Sequence, residues 1–253
     1  MNKKTCGIVI AGGESSRIWP LNNNGKKHKA SLMLGGMSLL ERTIKALEKY
    51  VNEVVVVVSP DHEWEFSHTN PKIAYQPLPL STADAMIKGY EKCPNYQQYI
   101  IINGYHAFSN DLVEKIAKLE ANAVLLTSTN EPQNYGIAKI KNNKVIEIVE
   151  KPKNAGKEAL RVIGVYKVKA ELLKYLASQN LEDPYIFEEV LSHFAKAEGL
   201  NYEIVKESPL SLKYPWHYLD FTQHFLKKIM VSFIHKQAEI APTAIIKGKV
   251  FIE

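Results

Sequence analysis

The chain has 253 residues, enough to bury the core of one large domain with or without a small appendage. Hydrophobic residues make up 45% and charged residues 23%, as is ordinary for a globular protein. The net charge of +5 suits a phosphorylated ligand, but no dense Lys/Arg block indicates nucleic acid and no apolar stretch approaches the length of a membrane span. We expect Cys6 and Cys93 to be reduced core thiols of a cytoplasmic protein, with neither a disulfide nor a metal pair implied.

The first half of the chain alternates between strand and helix patterns. Val54 to Val58 are consecutive valines, apolar on both faces and β-branched, which is typical of a central parallel strand. Ser38 and Glu41 form a capping box ahead of a helical pattern. The predicted strands cover 5–10, 54–58, 72–76, 99–102 and 123–127, and the predicted helices cover 38–50, 82–92 and 109–120. This order predicts an α/β fold with a Rossmann-like, mixed and mostly parallel sheet and helices on both faces.

The second half begins with a different pattern. Two alternating segments flank Asn142 and Asn143, a pair that tolerates positive φ, so they predict a β-hairpin over 136–141 and 144–149. Further strands are predicted at 162–167 and 202–206, and further helices at 169–178, 184–197 and 220–236. The chain therefore continues as an α/β structure to a final helix.

The last residues have a third kind of pattern. From Ala238 to Glu253, apolar residues recur at roughly six-residue spacing around small residues and Gly248. This spacing resembles the opening coil of a left-handed β-helix built from hexapeptide repeats. One coil cannot bury its own face, so it is either cut short or vestigial, and a single C-terminal strand pair is the competing interpretation. We divide the chain into a domain over 1–236 and the beginning of a β-helix over 237–253.

The segment with the clearest chemical content lies near the N-terminus. The predicted strand 5–10 opens into a loop of small residues that carries Arg17, and Lys29 follows twelve residues later. Small residues let backbone N–H groups approach a phosphate chain, and the two cations would neutralise it. The loop has neither the G-x-G-x-x-G dinucleotide pattern nor the Gly-Lys-Ser/Thr of a Walker A loop. It predicts a phosphate-binding site of another type.

This opening resembles that of the sugar-1-phosphate nucleotidyltransferases, also called nucleotide-sugar pyrophosphorylases. Their opening reads roughly A-G-G-x-G-T-R-L-x-P-L and then P-K-x-L-L, where this chain has AGGESSRIWPL over 11–21 and HKASL over 28–32. The later segments that follow in the family's order are Gln76–Ala85, Asn103-Gly104, Tyr135-Gly136, Val149–Pro152, Gly164–Tyr166 and Trp216–Asp220. Segments in this order are specific evidence for fold and ancestry over about the whole chain.

The resemblance implies one displacement, in which a sugar-1-phosphate oxygen attacks the α-phosphate of a nucleoside triphosphate and pyrophosphate leaves. By match, Arg17 would clamp the leaving phosphates, Lys29 would stabilise charge at the α-phosphate and Asp220 would bind a metal. Gln76 and the turn at Ser81 would read the base. The residues matched to nucleotide binding are Ala11, Gly12, Gly13, Gln76, Ser81, Thr82 and Gly104. The residues matched to the sugar phosphate are Gly136, Glu150, Lys151 and Gly164.

One position departs from the family pattern in a way that affects the metal. The family has an aspartate after the strand predicted at 99–102, and that aspartate and Asp220 together would hold Mg²⁺, with Mn²⁺ as an alternative. This chain has Tyr105 instead, and a neutral phenol is a poor ligand for a hard cation. Three interpretations stay open: His106 or water completes the site, the protein binds ligands without turnover, or Asp111 is the relevant carboxylate.

Smaller departures lie in the phosphate-binding region. Ser15 takes the place of the second loop glycine, where it would restrict a backbone that needs positive φ. Ser16 replaces a threonine conservatively, and His28 replaces the proline before Lys29.

Taken with the resemblance, the retained cations favour an enzyme that makes a nucleoside-diphosphate sugar from a nucleoside triphosphate and a sugar 1-phosphate. Tyr105 and Ser15 motivate the alternative, a catalytically impaired paralogue that binds nucleotides or sugar nucleotides in a regulatory or structural role. No Asp-x-Asp follows a strand to favour a metal-dependent glycosyltransferase. We expect no nucleic-acid or membrane partner, and a homo-oligomer is a further expectation.

Overall fold

The computed structural model describes residues 4–107, 110–153, 159–206, 208–227, 229 and 231–252. In chain order the strands are β1 (Thr5–Ala11), β2 (Met33–Leu34), β3 (Met37–Ser38), β4 (Glu53–Val58), β5 (Lys72–Tyr75), β6 (Gln98–Asn103), β7 (His106–Ala107), β8 (Ala123–Thr129), β9 (Gly136–Lys141), β10 (Lys144–Glu150), β11 (Ala159–Lys169), β12 (Asn201–Ile204), β13 (Leu210–Ser211), β14 (Phe233–Ile234) and β15 (Phe251–Ile252). The helices are α1 (Leu39–Glu48), α2 (Thr82–Lys92), α3 (Asn110–Lys118), α4 (Ala170–Ala177), α5 (Ile186–Glu198) and α6 (His217–Leu226).

Nine of these strands form one mixed sheet, in the order β10-β9-β11-β6-β1-β4-β5, with β8 paired to β11 and β12 paired to β8. The mixed α/β sheet expected from the sequence is confirmed. None of the helices in the described part of the chain is both long enough and apolar enough to cross a membrane.

The parallel half of the sheet consists of strands that are apolar on both faces. Strand β1 pairs in parallel with β4 and β6, which sets Ile8 beside Val55 and Ile101. Successive side chains point to opposite faces, so Ile8 packs into the core shared with α2, α4 and α5, and Val9 packs into the core shared with α1 and α3. Helices on both faces are therefore confirmed, and the run of valines in β4 is buried from both sides.

The C-terminal ends of β1 and β6 open on one edge of the sheet. The small-residue loop follows β1, and Gly104 with Tyr105 follows β6. The Gly104 N–H donates to the Ile10 carbonyl at 2.8 Å, which links the two strand ends. An added Cβ at Gly104 would lie 3.1 Å from both Leu40 and Val9, so this glycine lets α1 pack closely against the strand ends.

The antiparallel half is organised around β11, which pairs with β6, β8 and β9. Its register against β8 shifts between Val162 and Tyr166, and Gly164 within this bulge has φ +73°. The predicted hairpin is confirmed as β9 and β10, with Asn142 at φ 50° and Asn143 at φ 56° in the turn.

A short strand pair that the sequence pattern did not indicate brings the segment before α6 onto the end of β6. Strands β7 and β13 are antiparallel, with His106 opposite Ser211 and Ala107 opposite Leu210. The Leu212 N–H donates to the Tyr105 carbonyl at 3.1 Å. This pair sets which residues face Tyr105 from the C-terminal part of the chain.

The prediction of a helix over 220–236 is wrong in its second half. Helix α6 begins earlier, at His217, and ends at Leu226. Phe233 and Ile234 instead pair in parallel with Phe251 and Ile252, and the Phe233 N–H donates to the Val250 carbonyl at 2.8 Å. Pairing with a distant segment replaces the local helical hydrogen bonds here. This single parallel pair is compatible with both interpretations of the tail, so the β-helix start stays a prediction.

The two cysteines are buried neighbours. Their Sγ atoms lie 2.8 Å apart as thiols, although the residues are 87 positions apart in the chain. The hydrogen bond to Cys93 and burial raise the pKa of the Cys6 thiol. The expectation that both cysteines lie in the core is confirmed, and only the packing of α2 on β1 places them side by side.

The contact between α2 and β1 generates a stability prediction at Gly89. An added Cβ there would lie 2.5 Å from Ile8 Cγ2 and 3.1 Å from Val57 Cγ2. We expect Gly89→Ala to lower the free energy of unfolding by about 1–3 kcal/mol, because overpacking outweighs a helix-propensity gain of about 1 kcal/mol. Chemical denaturation measures this change, with Lys88→Ala on the half-buried side of the same helix as the control. A Gly89→Ala variant as stable as the wild type would contradict the close packing.

Candidate active site

The loop after β1 combines an open backbone with one residue in a left-handed conformation. An added Cβ at Gly13 would meet none of the described atoms within 4 Å, so a ligand can approach this backbone. Ser15 has φ 55° and ψ 25°, which confirms that the position needs positive φ. The Ser15 hydroxyl accepts a hydrogen bond from the Lys29 N–H at 3.0 Å. Serine thereby joins the phosphate loop to the lysine segment, a contact that glycine could not make.

His28 fixes the backbone turn that carries Lys29. Its side chain is 1% exposed, and Nδ1 accepts a hydrogen bond from the Ala30 N–H at 3.1 Å. Burial, then the charges of Lys29 and His62, lower the His28 pKa well below its usual value, so the ring stays neutral. The imidazole therefore begins the short 3₁₀ turn at Lys29, at the position where the family has proline.

Lys29 lies on the aromatic face of Tyr105, with Nζ 3.8 Å from the ring centroid. Burial, then the charges of Arg17 and Lys213, lower the Lys29 pKa to about 8. Burial raises the pKa of Tyr105, and the charge of the exposed Arg17 opposes that rise. The phenol is therefore neutral, and its ring stabilises the ammonium by a cation–π contact. Arg17 and Lys29, both expected from the sequence, are brought together around Tyr105.

Gln76 is buried behind the same loop. Its Nε2 donates to the Ser81 carbonyl at 3.0 Å and to Asp84 Oδ2 at 2.7 Å, which uses both N–H groups. Its Oε1 lies against Gly12, where an added Cβ would be only 2.2 Å away. The Ser81 hydroxyl accepts from the Asp84 N–H and donates to the Leu181 carbonyl at 2.6 Å. The Gln76 oxygen is therefore the polar atom of this group directed at the loop.

A second group of expected residues lies where the β9–β10 hairpin ends. Lys151 Nζ is 3.5 Å from Glu150 Oε1 and 3.5 Å from the Tyr185 hydroxyl. An added Cβ at Gly136 would lie 2.9 Å from Glu150 Oε2, so glycine leaves space for this carboxylate. Glu150, Lys151 and Tyr185 border a cleft of about 610 Å³ between β10 and α5. A carboxylate and an ammonium side by side suit a ligand that carries both hydroxyls and a phosphate.

Glu188 lines the same cleft, and the sequence analysis missed it. Its Oε2 is buried and has no hydrogen-bond partner among the described residues. Burial, to which the charge of Glu150 adds, raises the Glu188 pKa to about 7. Burial, then the charges of Glu188, Tyr105 and Glu150, raise the pKa of Tyr166. A glutamate within the apolar Ile186–Val190 stretch was the available signal.

Two further cations, also missed, stand on the ring of Tyr135. Arg161 of β11 has Cζ 4.0 Å from the ring centroid, and Lys213, just after β13, has Nζ 5.9 Å from it. The Tyr135 carbonyl accepts a hydrogen bond from the Lys151 N–H at 3.0 Å. Tyr135 therefore connects these cations with the hairpin end. Arg161, one of three arginines in the chain, interrupts an apolar strand pattern, and that was its only signal.

The side chains around Tyr105 do not fit a divalent cation. His106 Nε2 is 3.4 Å from the Ser211 hydroxyl. Burial, then the charges of Lys29 and two further cations, lower the His106 pKa to about 3, and the same positive field opposes a metal ion. A hard cation prefers several carboxylate oxygens. Within the described ranges, no three His, Cys, Asp or Glu residues form a group that could hold a metal.

The two carboxylates considered from the sequence each lie in the first turn of a helix. Asp220 is exposed in the first turn of α6, and Ser211 is the residue opposite His106 in the β7–β13 pair. Asp111 is in the first turn of α3, as its helical pattern predicted. No described hydrogen bond or ion pair joins Asp220 to the side chains around Tyr105, so its metal role stays a prediction.

The remaining matched residues are small or peripheral. Ala11 is buried at the end of β1, so only its backbone could meet a ligand, and Thr82 is exposed at the start of α2. Gly164 has φ +73°, and an added Cβ would lie 2.8 Å from Asn103 Nδ2. The conformation of β11 and its contact with the end of β6 explain this glycine without a ligand.

Known proteins share this fold and this arrangement of segments. The family model described as "Nucleotidyl transferase" matches residues 6–209. A bifunctional protein GlmU of Methanococcus aeolicus is 27% identical over 97% of this chain and 60% of its own length. A bifunctional sugar-1-phosphate nucleotidylyltransferase/acetyltransferase of Sulfurisphaera tokodaii is 23% identical over 97% of this chain and 61% of its own length. This chain thus spans about 60% of the length of these relatives.

Solved structures give the same fold. A UDP-glucose pyrophosphorylase from Acinetobacter baumannii superposes with a TM-score of 0.73 at 12% identity, over 89% of this chain and 94% of the other. The sheet order and the helices on both of its faces define an α/β protein of this fold. With the match over most of its length, the chain belongs to the nucleotidyl transferase family.

The lowered pKa of Lys29 predicts a gain of stability when the charge is removed. The folded protein binds the Lys29 proton less tightly than the unfolded chain does, so the charged ammonium lowers the stability of the fold at pH 7. Wild-type stability should therefore rise as the pH increases from 8 towards 10.5, because the folded protein loses this proton first. We expect Lys29→Met to raise the free energy of unfolding at pH 7 by about 1–2 kcal/mol after loss of the cation–π contact. Inorganic pyrophosphate should bind at least about tenfold more weakly.

The matched control for Lys29→Met is Lys27→Met, which removes an exposed charge two residues earlier. Its unfolding free energy should change by less than about 0.5 kcal/mol. Thermal and chemical denaturation, with calorimetric titration of pyrophosphate, measure both quantities. A Lys29→Met protein less stable than wild type at pH 7 would contradict the lowered pKa of Lys29.

The raised pKa of Glu188 predicts a pH-dependent stability of the opposite sign. Between pH 4.5 and about 7 the unfolded chain has lost this proton and the folded protein keeps it, so wild-type stability falls as pH rises. The total loss is about 3 kcal/mol at most. Glu188→Gln should remove this loss, whereas Glu189→Gln, an exposed neighbour, should keep it. Chemical denaturation at pH 5 and pH 8 measures this loss. An equal change in unfolding free energy between the two pH values for wild type and Glu188→Gln would exclude the raised pKa.

Proposed function

We propose that this protein transfers the nucleotidyl group of a nucleoside triphosphate to a sugar 1-phosphate, giving a nucleoside-diphosphate sugar and pyrophosphate. The observation that carries the proposal is the hydrogen bond from the Lys29 N–H to Ser15, which joins the loop after β1 to a half-buried cation at the edge of the sheet. Membership of the nucleotidyl transferase family supports the reaction class. The Glu150–Lys151 pair supports a sugar phosphate as the acceptor.

The proposed reaction is one displacement at phosphorus. A phosphate oxygen of the sugar 1-phosphate forms a bond to the α-phosphorus, and the bond from that phosphorus to the pyrophosphate oxygen breaks, with the electron pair leaving on pyrophosphate. Rate enhancement then comes from positioning and charge neutralisation. Arg17 faces the leaving phosphates and Lys29 the α-phosphate. Lys151 orients the attacking phosphate, while Glu150 and Glu188 accept hydrogen bonds from sugar hydroxyls.

Gln76 supports a choice among bases. Both of its N–H groups are engaged by Ser81 and Asp84, so only the Oε1 acceptor beside Gly12 is directed at the loop. An acceptor pairs with a base that has a ring N–H on its pairing edge. Uracil, thymine and guanine have this group, whereas adenine and cytosine have an acceptor nitrogen there. We therefore expect UTP, dTTP or GTP to be the nucleotide.

A second candidate is binding of nucleotides or sugar nucleotides without turnover, in a regulatory or structural role. The observation that favours it is Tyr105, a neutral ring under the Lys29 ammonium at the place of the family's aspartate. Such a site keeps its cations for phosphate binding. The two candidates differ only in whether pyrophosphate is released.

We also keep the division into a nucleotidyltransferase domain over 1–236 and a β-helix start over 237–253. The parallel pairing of Phe233 with Phe251 supports a β-helix start, because the two lie eighteen residues apart, three repeats of six, and it places the first paired residue just before the proposed boundary. Apolar side chains such as Ile245, 81% exposed, would suit a further coil or a second copy of the chain. The adjacent thiols of Cys6 and Cys93 support a reducing, cytoplasmic compartment.

Pyrophosphate release tests the proposed function. We expect release when UTP, dTTP or GTP is mixed with one of glucose, N-acetylglucosamine or mannose 1-phosphate, and little with ATP or CTP. Each mixture is measured with Mg²⁺, with Mn²⁺ and in EDTA. Arg17→Gln and Lys151→Gln should each lower kcat/KM by about 100-fold, because each removes a charge from the transition state.

The matched control is Lys153→Gln, which removes an exposed charge two residues after Lys151 and should leave kcat/KM unchanged. Release with no pair of substrates, together with calorimetric binding of a nucleotide, would select binding without turnover. Absence of both release and binding would contradict the whole account.

A further inference from the structure

Four cationic side chains from distant parts of the chain point to one region. Lys29 lies 3.8 Å above the ring of Tyr105. Arg161 and Lys213 stand on the ring of Tyr135, at 4.0 Å and 5.9 Å. Arg17 lies two residues after Ser15, whose hydroxyl accepts the hydrogen bond from the Lys29 N–H. Leu212, the residue before Lys213, donates its N–H to the Tyr105 carbonyl at 3.1 Å, so the two aromatic rings belong to one site.

Within the described part of the chain, no carboxylate forms an ion pair with any of these four cations. The charged neighbours that act on Lys29 are Arg17 and Lys213, and those that act on His106 are Lys29, Lys213 and Arg161. All of these are cations. Three of them rest on phenol rings, which stabilise a cation but leave its net charge available. A cluster of uncompensated positive charge with low-dielectric walls is a site for a polyanion.

The same region offers a divalent cation poor ligands. The described side chains just after β6 and opposite them in the β7–β13 pair include the neutral phenol of Tyr105, the imidazole of His106 and the hydroxyl of Ser211. An ion placed among them would face Lys29 directly. Repulsion between two like charges about 4 Å apart amounts to several kcal/mol at the effective dielectric of a partly buried site. The protein's own cations occupy the electrostatic role that a metal would fill.

We propose that Arg161 and Lys213, together with Arg17 and Lys29, form a phosphate-binding site that takes a triphosphate or pyrophosphate without a divalent cation. The inference deepens the proposed function by naming how the phosphates are neutralised, and it rests on that function for the identity of the ligand. The Arg161 guanidinium donates from Nη2 to the Ser208 hydroxyl and has further N–H groups for phosphate oxygens, and Lys213 offers a flexible point charge at the rim. Tyr135 sets both beside Lys151, at the border between the two substrates.

Binding of inorganic pyrophosphate and of UTP, dTTP and GTP, measured by calorimetry in EDTA and in Mg²⁺, tests this inference. We expect affinity in EDTA to be at least as high as in Mg²⁺, because Mg²⁺ complexation lowers the charge of the ligand. Lys213→Gln should weaken binding in EDTA by about tenfold, and Arg161→Gln by about tenfold or more. Affinity should fall as NaCl rises, since fixed charges supply the binding.

Lys174→Gln is the control, because it removes one exposed charge on α4 and should leave the affinity unchanged. Lys213 is exposed, so its variant should keep the wild-type melting temperature. Arg161→Lys should restore part of the affinity that Arg161→Gln loses, which separates a charge effect from a folding defect. Pyrophosphate binding that is abolished by EDTA and restored by Mg²⁺ would overturn the inference. Equal affinities of Lys213→Gln and Lys174→Gln would overturn it as well.

The two proposals fail in different experiments. Metal-independent binding without pyrophosphate release from any substrate pair would remove the transferase function and leave this inference standing. Pyrophosphate release with binding that requires Mg²⁺ would do the reverse.

Discussion

The crowding of positive charge at the C-terminal edge of β1 and β6 is the constraint on which the rest of the site depends. Like charges repel, and burial removes the water that would screen them, which is why Lys29 has a pKa of about 8. The protein lays Lys29 on Tyr105 and Arg161 on Tyr135. A carboxylate would stabilise each cation more strongly, but it would also cancel the charge that attracts a phosphate. Aromatic rings stabilise the cations and leave that attraction in place.

Two tyrosines link these cations to the cleft beside Glu150 and Lys151. Tyr135 carries Arg161 on its ring and receives the Lys151 N–H on its carbonyl. Tyr166 of β11 pairs with Ile101 of β6, and its ring centroid lies 4.8 Å from that of Phe187, the residue before Glu188. Both tyrosines belong to the antiparallel half of the sheet or the segment beside it. In the proposed site, the parallel half therefore supplies the loop after β1, and the antiparallel half supplies the cleft beside Glu150 and one of the cations, Arg161.

Local signals predicted most of the secondary structure. The capping box is present, with the Ser38 hydroxyl accepting the Glu41 N–H at 3.2 Å, and the bounds of α2 agree with its pattern. Prediction failed where pairing was distant. The segment after Leu226 has helical periodicity, but its backbone bonds with the segment around Phe251. Strands β7 and β13 are two residues each, too short for any periodicity to show.

The sequence by itself determined the alternation of strands and helices, the phosphate loop and the cations Arg17 and Lys29, because spacing and residue type along one segment encode them. Tertiary structure alone decided that Arg161, Lys213 and Glu188 join this region, and that Ser211 rather than Asp220 is opposite His106. These residues come from segments separated by up to two hundred positions. Their charges act on one another only because folding brings them together and partly removes them from water. No local sequence pattern encodes either effect.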